Sequence, residues 1–112
     1  MIKSLQNLGF TVNDAKVYIC LLKIGLTTPA KIAEKSDVDR ARVYDSLKRL
    51  VKRGIVIEEP VARAPRYRAL EPPIVFEKIR REYDSRMKMS IELEKQLENL
   101  KLASKEQDSV WA

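Results

Sequence analysis

At 112 residues the chain has room for one compact core and an appended element, but not for two full domains. Its single cysteine excludes an intrachain disulfide and a cysteine-based zinc cluster, and the lack of histidine removes the commonest catalytic base and metal ligand. The formal charge of +6 is localised: residues 1–39 carry +1, residues 40–68 carry +6 and residues 71–112 carry −1. A balance concentrated in one segment points to a polyanionic partner rather than to an evenly solvated surface.

The opening run MIKSLQNLGF lacks the apolar region of a signal peptide, and no apolar stretch approaches the roughly 18 residues a membrane span needs. A soluble, cytoplasmic protein in a reducing compartment is expected, with no membrane partner. Ile2, Leu5 and Leu8 give a short amphipathic helix closed by Gly9, with Phe10 packing back on it. A second helix starts at the N-cap Thr11, where Thr11 and Asp14 have the spacing of a capping box. Ala15, Tyr18, Ile19 and Leu22 form one face, widened by Val12, Val17, Leu21 and Ile24, so this helix is expected at the centre of the core. Cys20, among apolar neighbours, is read as a small buried hydrophobe. Gly25 ends the helix. Thr28 then caps a third, with Pro29 at its first position, where a missing N–H costs nothing.

The fourth helix, residues 40–53, is the one the chain is organised around. Asp39 is its N-cap, Val38 and Val43 fit a hydrophobic staple, and Gly54 follows the basic last turn of Lys52 and Arg53. Val43, Leu47, Leu50 and Val51 recur on one side. At about 100° per residue the opposite side carries Ala41, Arg42, Asp45, Lys48, Arg49 and Lys52. Two helices joined by a tight turn, the second capped and cationic, make a helix-turn-helix.

After Gly54 the period changes. Ile55-Val56-Ile57-Glu58-Glu59 and Arg66-Tyr67-Arg68-Ala69-Leu70 read as two strands, with a loop from Pro60 to Pro65 holding Arg63. Alternation turns Arg66 and Arg68 outward if Tyr67 packs inward, and the hairpin is read as a wing. Glu71-Pro72-Pro73 opens a last helix with nothing to break it before about Leu102, too long to pack wholly on so small a domain. Phe76, Tyr83, Ser90 and Leu97 fall at one heptad position and Ile79, Arg86, Leu93 and Leu100 at the other, with Met87 beside the seam. Phe76, Ile79, Tyr83, Met87, Leu93, Leu97 and Leu100 are the expected contacts of a parallel or antiparallel coiled-coil homodimer. The expected organisation is a winged helix-turn-helix over residues 1–70, a dimerisation helix over 71–102 and a flexible tail over 103–112, mainly α with a small β-hairpin.

The ordered set Leu8-Gly9-Phe10-Thr11, Ala15-Lys16-Val17-Tyr18, Arg42-Val43-Tyr44-Asp45, Leu50, Gly54 and Tyr67, spread over about residues 5–80, resembles the N-terminal winged-helix module of the TrmB-like transcriptional regulators, chiefly archaeal proteins. That resemblance implies a sequence-specific DNA-binding regulator dimerising through its last helix. Many members continue into a sugar-sensing domain, and this chain ends at Val110-Trp111-Ala112, where such a domain would begin. The chain is then either a natural short form or a fragment of a longer regulator, so a sugar response is not predicted and any effector stays unassigned.

On the residues themselves, Arg40, Arg42, Asp45 and Arg49 are candidates for the major groove, where arginine pairs bidentately with guanine, and Ala41 for a thymine methyl. Arg40 lies angularly near the core side, which also suits a phosphate or an acid. Lys48, Lys52 and Arg53 suit phosphate. Tyr44 borders the apolar stripe and has either a packing role or a phosphate contact through its hydroxyl. Arg66 and Arg68 suit backbone, Arg63 at the wing tip suits the minor groove, and Thr28 sits where helix N–H groups meet phosphate, although capping alone explains it. The partner implied is double-stranded DNA, with no cofactor, no metal and no catalytic residue: neither a glycine-rich phosphate loop nor a convergent acid pair is present. Two rival readings use the same surface, a sequence-neutral chromatin or nucleoid protein and a winged-helix adaptor meeting an acidic protein.

Overall fold

The computed structural model describes residues 1–60 and 63–111, with the side chains of the last helix described as far as Lys105. Along the chain run α1 (Ile2–Asn7), α2 (Val12–Ile24), α3 (Pro29–Ser36), α4 (Arg40–Lys52), β1 (Val56–Glu59), β2 (Arg66–Ala69) and α5 (Pro72–Trp111). They form a winged helix followed by a long helix, in two units, Met1–Phe76 and Glu77–Ala112.

In the first unit α2 is the central helix, touching α1, α3, α4 and β2. Ala15, Val17, Tyr18 and Leu21 are at most 2% exposed, and Cys20 is buried beside them, where burial pushes its thiol above the ordinary value despite the charge of Lys23. Leu22 and Ile24, expected on the apolar face, are instead exposed at 42% and 38%. Their neighbours already meet the packed elements, and these two fall on the side left over.

Local chemistry sets the helix starts. The Oγ1 of Thr11 accepts from the Asp14 N–H at 3.0 Å, that of Thr28 from the Lys31 N–H at 3.4 Å, and the Asp39 carboxylate from the Arg42 N–H at 3.0 Å. Each satisfies one of the unpaired donors of a first helical turn. The turn between α3 and α4 passes through Asp37 at φ 60°, a left-handed conformation that aspartate tolerates better than most residues. Val38 and Val43 are both buried, as the staple requires. On α4 the buried residues are Val43, Ser46, Leu47 and Leu50. Ser46 occupies the i+3 place in the stripe, where an apolar residue is expected, and Val51 is only half-buried.

α4 ends at Lys52 with Arg53 as its C-cap, Gly54 follows at φ +76°, and Ile55, 1% exposed, carries the chain into the hairpin. The strands are antiparallel, with Val56 opposite Ala69, Ile57 opposite Arg68, Glu58 opposite Tyr67 and Glu59 opposite Arg66. A third short segment joins them: Thr27 donates to the Tyr67 carbonyl at 3.0 Å and accepts from the Tyr67 N–H at 2.7 Å. Thr27, the residue before the Thr28 cap, thus ties the start of α3 to the wing.

In α5 the helix continues to Trp111, past the boundary expected at Leu102. Residues 103–111 contain neither glycine nor proline and include the good helix formers Ala103, Lys105, Glu106 and Gln107, so nothing local stops propagation. Within the second unit Tyr83, Met87, Met89, Ile91, Leu93, Leu97, Leu100 and Leu102 are all exposed. The two polar heptad residues have local partners: Arg86 lies over the Tyr83 ring at 5.3 Å, and the Ser90 hydroxyl donates to the Met87 carbonyl at 2.7 Å.

A candidate nucleic-acid interface

The outer side of α4 is laid out as the 3.6-residue period requires. Arg40, Ala41, Arg42, Tyr44, Asp45, Lys48, Arg49 and Lys52 are exposed, while Val43, Leu47 and Leu50 hold the inner side in the core. Arg42 stays at the head of the helix, where its Nε lies 3.4 Å from the Asp39 carboxylate that caps the same turn. The pair is well exposed and leaves the guanidinium open to solvent. A polar cavity lined by Asn13, Lys16, Asp37, Asp39 and Arg42 opens at this end.

At the wing end, Tyr44, Asp45 and Lys48 share a groove of about 340 Å³ with Glu58 and Tyr67. α4 and the hairpin therefore meet along one side of the first unit. The Tyr67 hydroxyl donates to Glu58 Oε1 at 3.2 Å across the strand pair, and burial, with the negative charge of Glu58, raises its pKa. Strand alternation puts Arg66 and Arg68 on the other face of the hairpin. Arg66 is exposed and Arg68 Nε donates to Glu59 at 2.9 Å, so these two arginines are not brought into the groove with Lys48. Arg63 is exposed; its neighbours Val61 and Ala62 lie outside the described residues.

Two cations expected at DNA are occupied within the fold. Arg49 donates from Nε and Nη2 to the Asp14 carboxylate, at 2.8 Å for the shortest contact, and from Nη2 to the Ser46 hydroxyl at 3.3 Å. Burial pushes the Asp14 carboxyl up. Hydrogen bonds from Arg49, Ser46 and Thr11, together with the guanidinium charge, outweigh it and hold the carboxyl below its ordinary value. Arg53 donates from Nη2 to the Leu8 carbonyl at 3.0 Å, and its guanidinium lies 5.1 Å from the centre of the Phe10 ring. A side chain at Gly9, which sits at φ +97°, would approach Arg53 to 3.3 Å, so glycine makes room for this bond. Arg49 thus ties α4 to α2, and Arg53 ties the end of α4 to α1.

Asp14 was legible only as a capping residue. Its backbone N–H meets the Thr11 cap, while its carboxylate also reaches Arg49 across the core, a pairing that no local spacing encodes. Thr28 is half-buried at the N-cap of α3. Of the expected dimerisation residues, Tyr83, Met87, Leu93, Leu97 and Leu100 are exposed, Phe76 is half-buried, and Ile79 is 2% exposed with no surface to offer a partner.

A family model described as "Sugar-specific transcriptional regulator TrmB" matches residues 5–73. The chain is 35% identical over 97 residues to the DNA-binding HTH-type transcriptional repressor TrmBL2 of Thermococcus kodakarensis, covering 85% of this chain and 36% of that protein. It is 34% identical over 97 residues, with the same coverage, to the putative HTH-type transcriptional regulator TrmBL2 of Pyrococcus furiosus. The chain thus spans about a third of the length of these curated relatives. Among solved structures it is similar to TrmBL2, described as an archaeal chromatin protein with a novel mode of DNA binding. That likeness has a TM-score of 0.80 and 31% identity, over 88% of this chain and 38% of that one. The oxidised form of MarR from E. coli shares the fold, with a TM-score of 0.56 and 21% identity over 70% of this chain and 59% of that one.

Proposed function

The chain belongs to the TrmB family of transcriptional regulators, and on that premise we propose that it is a cytoplasmic, sequence-specific double-stranded DNA-binding regulator acting as a homodimer. The observation that carries the reading is the side of α4 turned to solvent, where Arg40, Arg42, Lys48 and Lys52 stand free of the core while Asp39 and the Asp14–Arg49 pair hold the helix in place. In this reading α4 enters the major groove, Arg42 and Asp45 read base edges, Ala41 lies against a thymine methyl, and Lys48 and Lys52 hold phosphate. Tyr44 and Thr28 touch the backbone. Arg66 and Arg63 of the wing reach the flanking duplex, with Arg68 restrained by Glu59.

The dimer forms through the exposed stripe of Tyr83, Met87, Leu93, Leu97 and Leu100, which leaves too much apolar surface in water for a solitary helix. A two-fold dimer calls for a palindromic operator with half-sites separated by one or more turns of duplex, about 34–36 Å each. Selection of bound duplexes from a random pool tests this. Recovery of a palindromic motif bound much more tightly than random DNA supports it, and a specificity ratio near one favours the sequence-neutral mode, since one relative is described as a chromatin protein. Absence of duplex affinity even at low salt, where counterion release makes binding strongest, favours the adaptor.

A further inference from the structure

On the first unit, α1, α2 and the end of α3 line an open cavity of about 410 Å³, within the size range of small-molecule sites. Its apolar lining is Ile2 from α1, with Ile19, Cys20 and Ile24 from α2. Its charged lining is cationic, carrying Lys16, Lys23 and Lys35 against the single carboxylate of Asp37. None of these lysines is ion-paired among the described residues. Ser36 also lines the cavity, and its hydroxyl oxygen is buried with no hydrogen-bond partner among the described residues. An unmet buried hydroxyl is costly, and rotation about χ1 is the move that would bring it to an acceptor in the cavity.

Apolar side chains beside unpaired ammonium groups and an unused donor suit an apolar body ending in an anionic oxygen pair. We propose that this cavity binds a small amphipathic carboxylate, its alkyl or aryl body on Ile2, Ile19 and Ile24 and its head among Lys16, Lys35 and the Ser36 hydroxyl. Lys16 and Asp37 also line the polar cavity beside Asp39 and Arg42, so the occupant is a neighbour of the turn that launches α4. The proposal stands apart from the DNA-binding reading, because its test measures ligand binding alone.

The test titrates the full chain with octanoate, followed by methyl and amide NMR, with octanol and acetate as controls for body and charge. Saturable shifts at Ile2, Ile24 and Ser36, with octanoate bound at least about tenfold tighter than octanol or acetate, are expected, one charge-assisted hydrogen bond being of that size. Lys16→Met, Lys35→Met and Ser36→Ala keep most of each side chain's packing, and each should weaken octanoate by about tenfold or less while leaving octanol unchanged. Equal binding of octanol, unchanged binding in all three variants, or shifts confined to Leu5, Leu8 and Leu22, which line a neighbouring apolar cavity, would overturn the proposal.

Discussion

Asp14 and Arg49 stand 35 residues apart in the chain, yet the guanidinium donates to the carboxylate at 2.8 Å, and the acid is buried while the arginine is half exposed. The bond ties α4 to α2 beside the buried stripe of Val43, Leu47 and Leu50. It predicts that Asp14→Asn costs about 1–3 kcal/mol of folding stability, below the full value of a buried pair because the arginine is partly solvated. A drop in the urea midpoint at unchanged m-value is the check.

The same pair makes stability depend on pH. With the folded carboxyl below its ordinary value of 3.8, the unfolded chain takes up the proton first as pH falls. The contribution is full above about pH 3.8 and is lost as pH drops through the folded value. The stability gap between the native chain and Asp14→Asn should therefore be constant near neutrality and shrink below that point. Denaturant curves taken from pH 6 downward measure it.

The sequence carries the local chemistry well. Thr11, Thr28 and Asp39 each cap a helix because the donors they satisfy lie three residues away, and the stripe of Val43, Leu47 and Leu50 follows from the helical period alone. Contacts between distant segments were not legible. Arg49 and Arg53 look like solvent-facing cations until Asp14 and the Leu8 carbonyl are brought beside them. Ser46 did leave a signal, a small hydroxyl in an apolar stripe, which marks a buried polar partner.

Arg42 and Arg49 should separate in mutants. Arg42→Ala is expected to cost about 1–3 kcal/mol on the selected operator and much less on random duplex, with stability unchanged. Arg49→Ala should lower stability, and any loss of DNA binding should be equal on both duplexes. Paired titrations with a melting curve for each variant decide the assignment, and equal losses for Arg42→Ala would remove its base-reading role.

For the wing, Arg66→Ala should weaken operator and random DNA alike and reduce the slope of log K against log salt by about 1, one phosphate contact's worth. An unchanged slope would take Arg66 off the backbone.

On the last helix, Leu93→Asp places a charge in the proposed seam and should convert the dimer to a monomer in sedimentation equilibrium. Leu93 is exposed in the single chain, so the helix itself should survive the change. A variant that still sediments as an unchanged dimer would exclude the seam.

The doubled bond between Thr27 and Tyr67 gives the proposed reader its mechanical character. Because the segment entering α3 and the second strand of the hairpin are stitched backbone to backbone, helix and wing form a caliper of set jaw width rather than two fingers that close independently. A duplex whose grooves do not match that gauge must itself bend or twist, and the elastic cost falls on the DNA. Discrimination would then extend to base pairs that no side chain touches.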